Sequence, residues 1–382
     1  MNEVYYTSLS QHIRNEQKRH QQHHTMEPII HPIFEKQTST WQYIVACPET
    51  HEAVIIDPVL DFDPSQLTVT TTSADELLDL ATSKGYHITR ILETHAHADH
   101  LTAAHYIQTK LHHQQRLSSS SSSSSTESSP KVPICTGHRI RQVQATFAQR
   151  YNIPPNDLST AFDHLFQDDE TFQIGHITAQ VLHLPGHTPD HSGYMIGSNV
   201  FTGDSIFNPD VGSARCDFPH GDARALYQTM RKLLALPEHV KLYTGHDYPP
   251  AVEGNSTTNR APKAFVTVKD QKEGNKHVKE GTVEEEFVKW RQERDSALGE
   301  PRLLHPSLQV NVRGGRLPWG DTGNRRRAFL WMPVKVPEVM ESSGGRRGVS
   351  TMSMSSARIG GSGLRAVLGA VDTLKMVMRR FV

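Results

Sequence analysis

The sequence predicts a mixed α/β fold whose β-sheets gather polar residues at one edge. Three features of the chain support this class. Short apolar runs of strand length recur, helical patterns alternate with them, and several of the runs end on a histidine or an aspartate. We therefore expect the polar residues to meet at one rim of a sandwich.

The first elements alternate strand and helix. The segments STWQYIVAC and AVIIDP predict two strands joined at the turn PETHE. Ser73 begins the pattern Ser73-Ala74-Asp75-Glu76, which is typical of a capping box and predicts a helix over ADELLDLATSK. The apolar run from Ile88 to Leu92 predicts the next strand. A helix is then expected to start near Asp99 and to carry Ala103, Ala104, Ile107 and Leu111.

The later elements continue this alternation. Strands are predicted over VPICTG, ITAQVLHLP, SGYMI, VFTGDS and VKLYTGHDY. Helices are predicted over DARALYQTMRKLLALP and VEEEFVKWRQERDSAL, the second with Phe287 and Trp290 on one face.

The stretch THAHADH, from Thr94 to His100, predicts a metal site. It places three histidines and an aspartate directly after an apolar strand. The spacing of His95 and His97 lets two imidazoles converge on one ion, and imidazole and carboxylate ligands suit zinc, iron or manganese. A lone HxH in a chain with 24 histidines would often be a solvated loop. The whole string makes that interpretation the weaker one.

Three further candidate ligands follow, each after an apolar strand. His187 lies in the loop LPGHTPDHSGY, Asp204 ends VFTGDS, and His246 ends VKLYTGHDY. We expect all of these groups at the same rim as the opening motif.

This order of ligands resembles that of the metallo-β-lactamase superfamily. The family pattern of HxHxDH followed by His, Asp and His matches at every position: His95, His97, Asp99, His100, His187, Asp204 and His246. The resemblance covers roughly residues 30 to 312 and implies a four-layer αββα sandwich. A non-enzymatic scaffold would be expected to have lost some of these ligands, and none is missing.

The resemblance leaves two chemistries open. In glyoxalase-II-like hydrolases, two zinc ions bridged by Asp204 would activate a shared water to cleave a glutathione thioester. In persulfide dioxygenases, a single Fe(II) held by His95, His187 and Asp204 would react with O2 and glutathione persulfide to give sulfite and glutathione. His97, Asp99, His100 and His246 would then surround the iron, whereas in the hydrolase they would bind the second metal.

The segment GSARCDF, from Gly212 to Phe218, favours the dioxygenase. It looks like the Arg-x-Asp-Phe segment of the sulfur dioxygenases and their bacterial relatives, and HPSLQVNVRGG resembles the C-terminal segment of the same proteins. Arg215 and Asp99 are the predicted catalytic residues, Arg215 as a cation near the metal that suits an anionic persulfide. Arg215 could instead serve only to pair with Asp217. Asp190 and His191 depart from the pattern of the best-known mitochondrial dioxygenases.

Composition limits the remaining classes. The 382 residues are 36% hydrophobic and 21% charged, with a formal net charge of −1, which argues against nucleic-acid binding. Three cysteines are too few for a disulfide framework, which favours a reducing compartment. No apolar run reaches membrane-spanning length. We expect a cytoplasmic enzyme, with mitochondria as the alternative, that acts on a glutathione-derived small molecule; a homo-oligomer stays open.

Low-complexity segments flank and interrupt the domain. Residues 1–27 predict a polar tail, with a poor transit peptide as the alternative, and residues 28–312 predict the metallo-β-lactamase-like domain. The serine-rich stretch 118–130 predicts an inserted solvated loop, and residues 313–362 predict an unstructured linker. Residues 363–382 predict an amphipathic helix that docks on the domain or a partner, or alternatively lies on a membrane surface.

Overall fold

The computed structural model describes residues 26–119, 131–249, 260–319 and 327–333. Most of the predicted N-terminal tail, the serine tract from residue 120 onward, most of the predicted linker and the predicted C-terminal helix lie outside these ranges. No helix in the described part of the chain is long and apolar enough to cross a membrane.

The strands number β1 to β15 in the described residues. Their bounds are β1 Ile29–Glu35, β2 Thr40–Ala46, β3 Glu52–Ile56, β4 Val59–Asp63, β5 Thr68–Thr70, β6 His87–Leu92, β7 Leu101–Thr102, β8 Ile134–Gly137, β9 His164–Phe166, β10 Thr171–Ile174, β11 Ile177–His183, β12 Ser192–Ile196, β13 Asn199–Gly203, β14 Lys241–Thr244 and β15 Phe265–Thr267. The helices of the same ranges are α1 Thr72–Ser83, α2 Ala104–Ser119, α3 Ile140–Tyr151, α4 Pro155–Ser159, α5 Ala223–Leu234, α6 Val268–Gly274, α7 Glu284–Ser296 and α8 Leu304–Asn311.

Two six-stranded sheets form the centre of the domain, in the orders β1-β2-β3-β6-β8-β9 and β10-β11-β12-β13-β14-β15. A small third sheet has the order β5-β4-β7. Strands β3, β6, β8 and β9 run parallel to one another, and β13 runs parallel to β14. Since parallel strands end at the same edge of a sheet, the loops after β3 and β6 meet on one side. The loops after β13 and β14 meet for the same reason.

The hydrophobic core confirms the αββα sandwich. One cluster lies between the two sheets and includes Tyr43, Tyr194 and Phe201. A second joins the outer face of the first sheet to α1 and α2, and a third joins the outer face of the second sheet to α5 and α7. Each sheet therefore buries one face against its partner and the other against helices, which gives four layers.

Most of the predicted elements are confirmed, including the hairpin of β2 and β3 and the helices α5 and α7. Phe287 and Trp290 do share a face of α7, where Phe287 is buried and Trp290 packs against it from the edge of the same cluster.

The predicted helix near Asp99 is wrong at its start. Helix α2 begins at Ala104 because Leu101 and Thr102 pair with β4 as the short strand β7. Thr102 Oγ1 accepts a hydrogen bond from the N–H of Ala104 at 3.1 Å. Asp99 and His100 therefore lie on a loop. At its other end α2 continues to Ser119, two residues into the predicted serine loop.

The predicted capping box at Ser73 is also wrong. Helix α1 begins at Thr72, which places Ser73 inside the first turn. The Ser73 hydroxyl and N–H donate to the carboxylate of Asp61 at 2.6 and 3.0 Å. The Ser73 hydroxyl therefore bonds to β4 and does not form the cap at the N-terminus of α1 that the sequence pattern predicted.

The chain after α8 stays packed on the domain. Gln309 of α8 donates to the carbonyl of Trp331 and accepts from its N–H, both at 2.8 Å. Leu317 and Leu330 pack against the helix-covered face of the first sheet. The described residues 313–319 and 327–333, which fall in the predicted linker, thus have a fixed place.

Candidate metal centre

The candidate ligands meet at one edge of the two sheets. His95, His97, Asp99 and His100 follow β6, Asp204 follows β13, and His246 follows β14. His187 lies between β11 and β12. All of the histidines named here are buried, as is Asp204, while the Asp99 side chain is 32% exposed toward a cavity.

The tightest group joins His95, His187 and Asp204, whose potential ligand atoms all lie within 4.8 Å of one another. The Asp204 Oδ2 atom is 4.0 Å from His95 Nε2 and 3.7 Å from His187 Nε2. Separations of this size leave room for one ion between the three atoms, each at about 2 Å from it. This group is the 2-His-1-carboxylate set predicted from the sequence.

A second group joins His97, Asp99 and His100, again with candidate atoms within 4.8 Å. His246 lies between the two groups, with its Nε2 atom 3.0 Å from Asp99 Oδ2 and 3.6 Å from Asp204 Oδ2. The structure therefore brings together all seven residues predicted from the sequence.

Hydrogen bonds at Nδ1 fix the tautomers of His187 and His95. His187 Nδ1 donates to the backbone carbonyl of Arg215 at 2.7 Å. His95 Nδ1 contacts Thr94 Oγ1 at 2.9 Å. That hydroxyl already donates its hydrogen bond to Asp57 at 2.8 Å, so it can only accept from His95. Nδ1 must then be protonated in both rings, which leaves Nε2 with a free lone pair for a metal.

Two of the other three histidines are oriented in the same manner. The Nδ1 atoms of His100 and His246 contact the backbone carbonyls of Leu101 and Ser39, each at 3.2 Å. His97 is turned the other way, with Nε2 directed at Asp57 at 3.1 Å and at Glu93 at 3.5 Å. Its Nδ1 is consequently the free nitrogen.

A metal fits this arrangement. Several buried atoms of the site lack a hydrogen-bond partner among the described residues: His95 Nε2, His97 Nδ1, His100 Nε2, His246 Nε2, Asp99 Oδ2 and Asp204 Oδ1. Unpaired buried polar atoms cost roughly 1–3 kcal/mol each, so a cluster of them is unfavourable unless an ion satisfies it. Imidazole and carboxylate donors suit iron or zinc.

The environment keeps two of these histidines neutral, as ligands must be. Burial, together with the charges of neighbouring histidines, holds the pKa of His95 well below its usual range. Burial likewise lowers the pKa of His100 to about 3. For His246 burial opposes the charged form, but the carboxylates of Asp204 and Asp99 outweigh it and raise the pKa to about 9. His246 and Asp99 can thus form a charge pair of their own.

The loop of the opening motif is held by side chains from distant segments. Asp57, which follows β3, accepts from the N–H of Thr94 at 2.7 Å. Asp190 accepts from the N–H of Ala96 at 3.0 Å. Asn311, at the end of α8, donates to the carbonyls of His97 and His100, both at 2.8 Å, and accepts from the N–H of Thr102 at 2.8 Å.

His191 supports the site from behind. Its Nε2 atom accepts from the N–H of Asp204 at 3.0 Å, and its ring stacks on His95 with the centroids 4.6 Å apart. Asp190 and His191, the two departures from the expected pattern, are therefore fully buried supports of the ligand shell.

A cavity of about 510 Å³ opens from the site. Asp99, His187 and Asp204 line one end of it. Arg215 lines the same cavity, where its guanidinium donates to Asp217 at 2.5 Å and to the carbonyl of Gly299 at 2.8 Å. Arg215 is thus both near the candidate metal ligands and paired with Asp217, as the two sequence hypotheses required.

Comparison with known proteins identifies the family. The sequence profile of the Metallo-beta-lactamase superfamily matches residues 37–246, more than half of the chain. The chain belongs to the metallo-β-lactamase superfamily. All seven candidate ligands of this metallo-β-lactamase domain lie inside the matched range.

Two of the proteins that are similar to this chain carry different functional names. Glyoxylase B2 of Dictyostelium discoideum is 40% identical over 288 residues, which cover 74% of this chain and 90% of that protein. The beta-lactamase hydrolase-like protein of Xylella fastidiosa is 38% identical over 312 residues, which cover 81% of this chain and 66% of that protein. The match thus spans slightly less than two thirds of the Xylella protein.

A solved structure supports the metallo-β-lactamase fold. The crystal structure of ETHE1 from Myxococcus xanthus has a TM-score of 0.55 to this chain and 24% sequence identity. The superposition covers 75% of this chain and 100% of the other. At this identity the likeness supports the architecture alone.

Sequence reasoning missed several residues that hold the metallo-β-lactamase site. Asp57 ends the apolar run AVIID, so the rule that found Asp204 would also have found it. Glu93, which directly follows the apolar end of β6, could have been found by the same rule. Asn311 carries no such signal, because its role depends on where α8 packs.

Proposed function

We propose that this protein is an Fe(II)-dependent persulfide dioxygenase that converts glutathione persulfide to sulfite and glutathione. The observation that carries the proposal is the compact group of His95, His187 and Asp204 at the end of a cavity that Arg215 also lines. Two imidazoles and one carboxylate are the donor set of mononuclear non-haem iron oxygenases.

The overall reaction balances with one O2 and one water. Glutathione persulfide, O2 and H2O give glutathione and sulfurous acid, which ionises to sulfite. Four electrons pass from the two sulfur atoms to O2, and the sulfur–sulfur bond is cleaved. When bound, Fe(II) supplies the redox chemistry and the coordination positions that three protein ligands leave open.

The residues of this chain would bind and orient the reactants. His187 is held for this role by the backbone carbonyl of Arg215, so the segment that carries the arginine also aligns a ligand. The Arg215 side chain is fixed by Asp217 and Gly299 and lines the cavity, where its guanidinium would attract an anionic persulfide although Asp217 offsets part of its charge. Asp99 Oδ2 lies 3.0 Å from His246 Nε2 at the cavity edge, where the pair would hold a proton during the reaction.

The alternative is a zinc-dependent hydrolase of a glutathione thioester. It is favoured by the second group of His97, Asp99 and His100, which could hold another ion beside the first. The names of the similar proteins, glyoxylase and hydrolase-like, favour the same function. In this function, two zinc ions would supply a hydroxide nucleophile.

One experiment separates the two functions. The full chain is purified without added metal, and O2 uptake with glutathione persulfide is measured beside hydrolysis of S-lactoylglutathione. We expect O2 consumption with sulfite formed in a one-to-one ratio, and little thioester hydrolysis. Rapid hydrolysis without O2 uptake would overturn the proposal in favour of the hydrolase.

A further inference from the structure

Part of the cavity wall is formed by segments outside the range that matches the family. Helix α7, the turn that follows α6 and the loop before α8 contribute Trp290, Arg294, Lys276 and Arg302 to it. One cavity thus joins these residues to Asp99, His187 and Asp204. A volume of about 510 Å³ lies in the range of pockets that enclose small organic ligands.

The cations of this wall differ in how they are neutralised. Arg215 is paired with Asp217, and Arg291 is buried and paired with Asp295 at 2.5 Å. Lys276, Arg294 and Arg302 are exposed and form no ion pair within 4 Å in the described part of the chain, although the charge of Arg302 also acts on Asp63. The carboxylates that line the cavity are Asp99 and Asp204, which belong to the metal centre. The other charged side chains that line the cavity are all cations.

His277 lies in the cavity wall beside these cations and is uncharged. Its ring packs against Trp290 with centroids 4.0 Å apart, in the same wall. Its Nδ1 atom accepts from the N–H of Ser213 at 2.9 Å, which requires an unprotonated nitrogen. Burial and the nearby charges of Lys276, Arg291 and Arg294 lower the pKa of His277 to about 3. His277 therefore stays neutral beside these cations and does not offset their charge.

We propose that Lys276, Arg294 and Arg302 form an anion subsite that binds the carboxylates of a glutathione-type thiol while its sulfur faces the metal centre. Trp290 provides an apolar surface between them for the peptide part of the ligand. The choice of glutathione rests on the proposed function, but the subsite requires only a ligand with carboxylates remote from its sulfur. The cations would hold the carboxylates while the sulfur faces the metal centre, and this would set the orientation of the bound ligand.

The energetic expectation is modest for each cation because all three are exposed. A single exposed charge contact contributes up to about 1 kcal/mol, so removing two of them predicts a loss of about tenfold in affinity. The interaction should also weaken as salt is added, because exposed charges are screened.

The test uses the full chain and a binding readout that needs no turnover. Glutathione and glutathione diethyl ester are titrated while tryptophan fluorescence is recorded. The variants are Trp290→Phe, which shows whether the signal comes from the cavity, and the double variant Lys276→Gln/Arg294→Gln. Lys289→Gln is the matched control, since Lys289 is an exposed cation on the same helix as Arg294 but does not line the cavity.

We expect glutathione to bind the double variant about tenfold more weakly and the Lys289 control within about twofold of the unaltered protein. The diester should bind weakly to all of them, because it lacks the carboxylates. Equal affinity of the double variant and the unaltered protein for glutathione would overturn the subsite. Equal binding of glutathione and its diester to the unaltered protein would do the same.

Kinetics separate this proposal from the proposed function. If the subsite is right, the double variant raises KM for whichever glutathione substrate turns over and leaves kcat nearly unchanged. Loss of glutathione binding in the double variant, with no O2 uptake by the unaltered protein, would retain the subsite and reject the dioxygenase. O2 uptake with an unchanged KM in the double variant would retain the dioxygenase and reject the subsite.

Discussion

Asn311 links the C-terminal helix α8 to the metal-binding loop, and its replacement by leucine tests that link. The side chain is 3% exposed and makes three hydrogen bonds of 2.8 Å, to the carbonyls of His97 and His100 and from the N–H of Thr102. Leucine is of similar size but can make none of them. Two buried carbonyls and one buried N–H would lose their partner at the base of the ligand loop.

The expected loss follows from these three groups. Each buried polar group left unpaired costs about 1–3 kcal/mol, and part of this is recovered as the loop relaxes. We therefore expect the free energy of unfolding to fall by about 3–5 kcal/mol in Asn311→Leu. Because these carbonyls belong to the loop that carries His95, a ligand of the proposed iron, metal affinity should also fall by about 10 to 100-fold, as is typical when groups that orient ligands are removed.

Gln309→Leu is the matched control. Gln309 lies on the same helix and is also buried, and it makes three hydrogen bonds of 2.8 Å, to His305 and Trp331. None of them reaches the metal loop. Urea unfolding should show a loss of stability in both variants, whereas competition with a chelator should show weaker metal binding in Asn311→Leu alone. Equal metal affinity of the two variants, or a stability loss below about 1 kcal/mol in Asn311→Leu, would refute the reasoning.

Two other predictions concern acid stability and the serine tract. The pKa of His277 is lowered from its usual value of 6.5 to about 3 in the folded protein. Below pH 6.5 the unfolded chain therefore binds a proton at His277 that the folded state does not bind. The free energy of unfolding consequently decreases as the pH falls toward 3. At pH 5 the full shift would lower the free energy of unfolding by about 2 kcal/mol, and by about 1 kcal/mol after allowance for the partial exposure of the ring. Between pH 7 and 5, His277→Gln should therefore lose about 1 kcal/mol less stability than the unaltered protein. Parallel stability curves for the two proteins in urea titrations would contradict this. Deleting residues 120–129, which the sequence predicts to be a solvated insertion, should leave kcat/KM within about twofold, because shortening such an insertion changes closure entropy by less than about 1 kcal/mol. A well-folded deletion protein with strongly reduced turnover would show that the tract contributes to the site.

The sequence predicted those parts of the site that are encoded locally. Each candidate ligand follows an apolar run, and strand ends on the same edge of a sheet must lie close together. The sequence alone therefore predicted that His95, His187, Asp204 and His246 would meet. The sheets and most helices were predictable for the same reason, since their periodicity lies within one segment.

What escaped prediction depends on contacts between distant segments. Ser73 matched a capping pattern, but Asp61 of a neighbouring strand takes its hydroxyl. The helix expected near Asp99 begins later because Leu101 and Thr102 pair with β4. Asn311 and the cations of α7 belong to the site only through the packing of the last helices, which no local periodicity encodes.

The metal content of two variants tests the one-iron account most directly. In that account His95→Ala removes one of three protein ligands, whereas Asp99→Ala removes only the partner of His246. Both variants and the unaltered protein are expressed without added metal and analysed by mass spectrometry for iron and zinc per chain. The account predicts about one iron in the unaltered protein, about one in Asp99→Ala and none in His95→Ala. Two ions in the unaltered protein, with one of them lost in Asp99→Ala, would contradict it and support the two-zinc hydrolase.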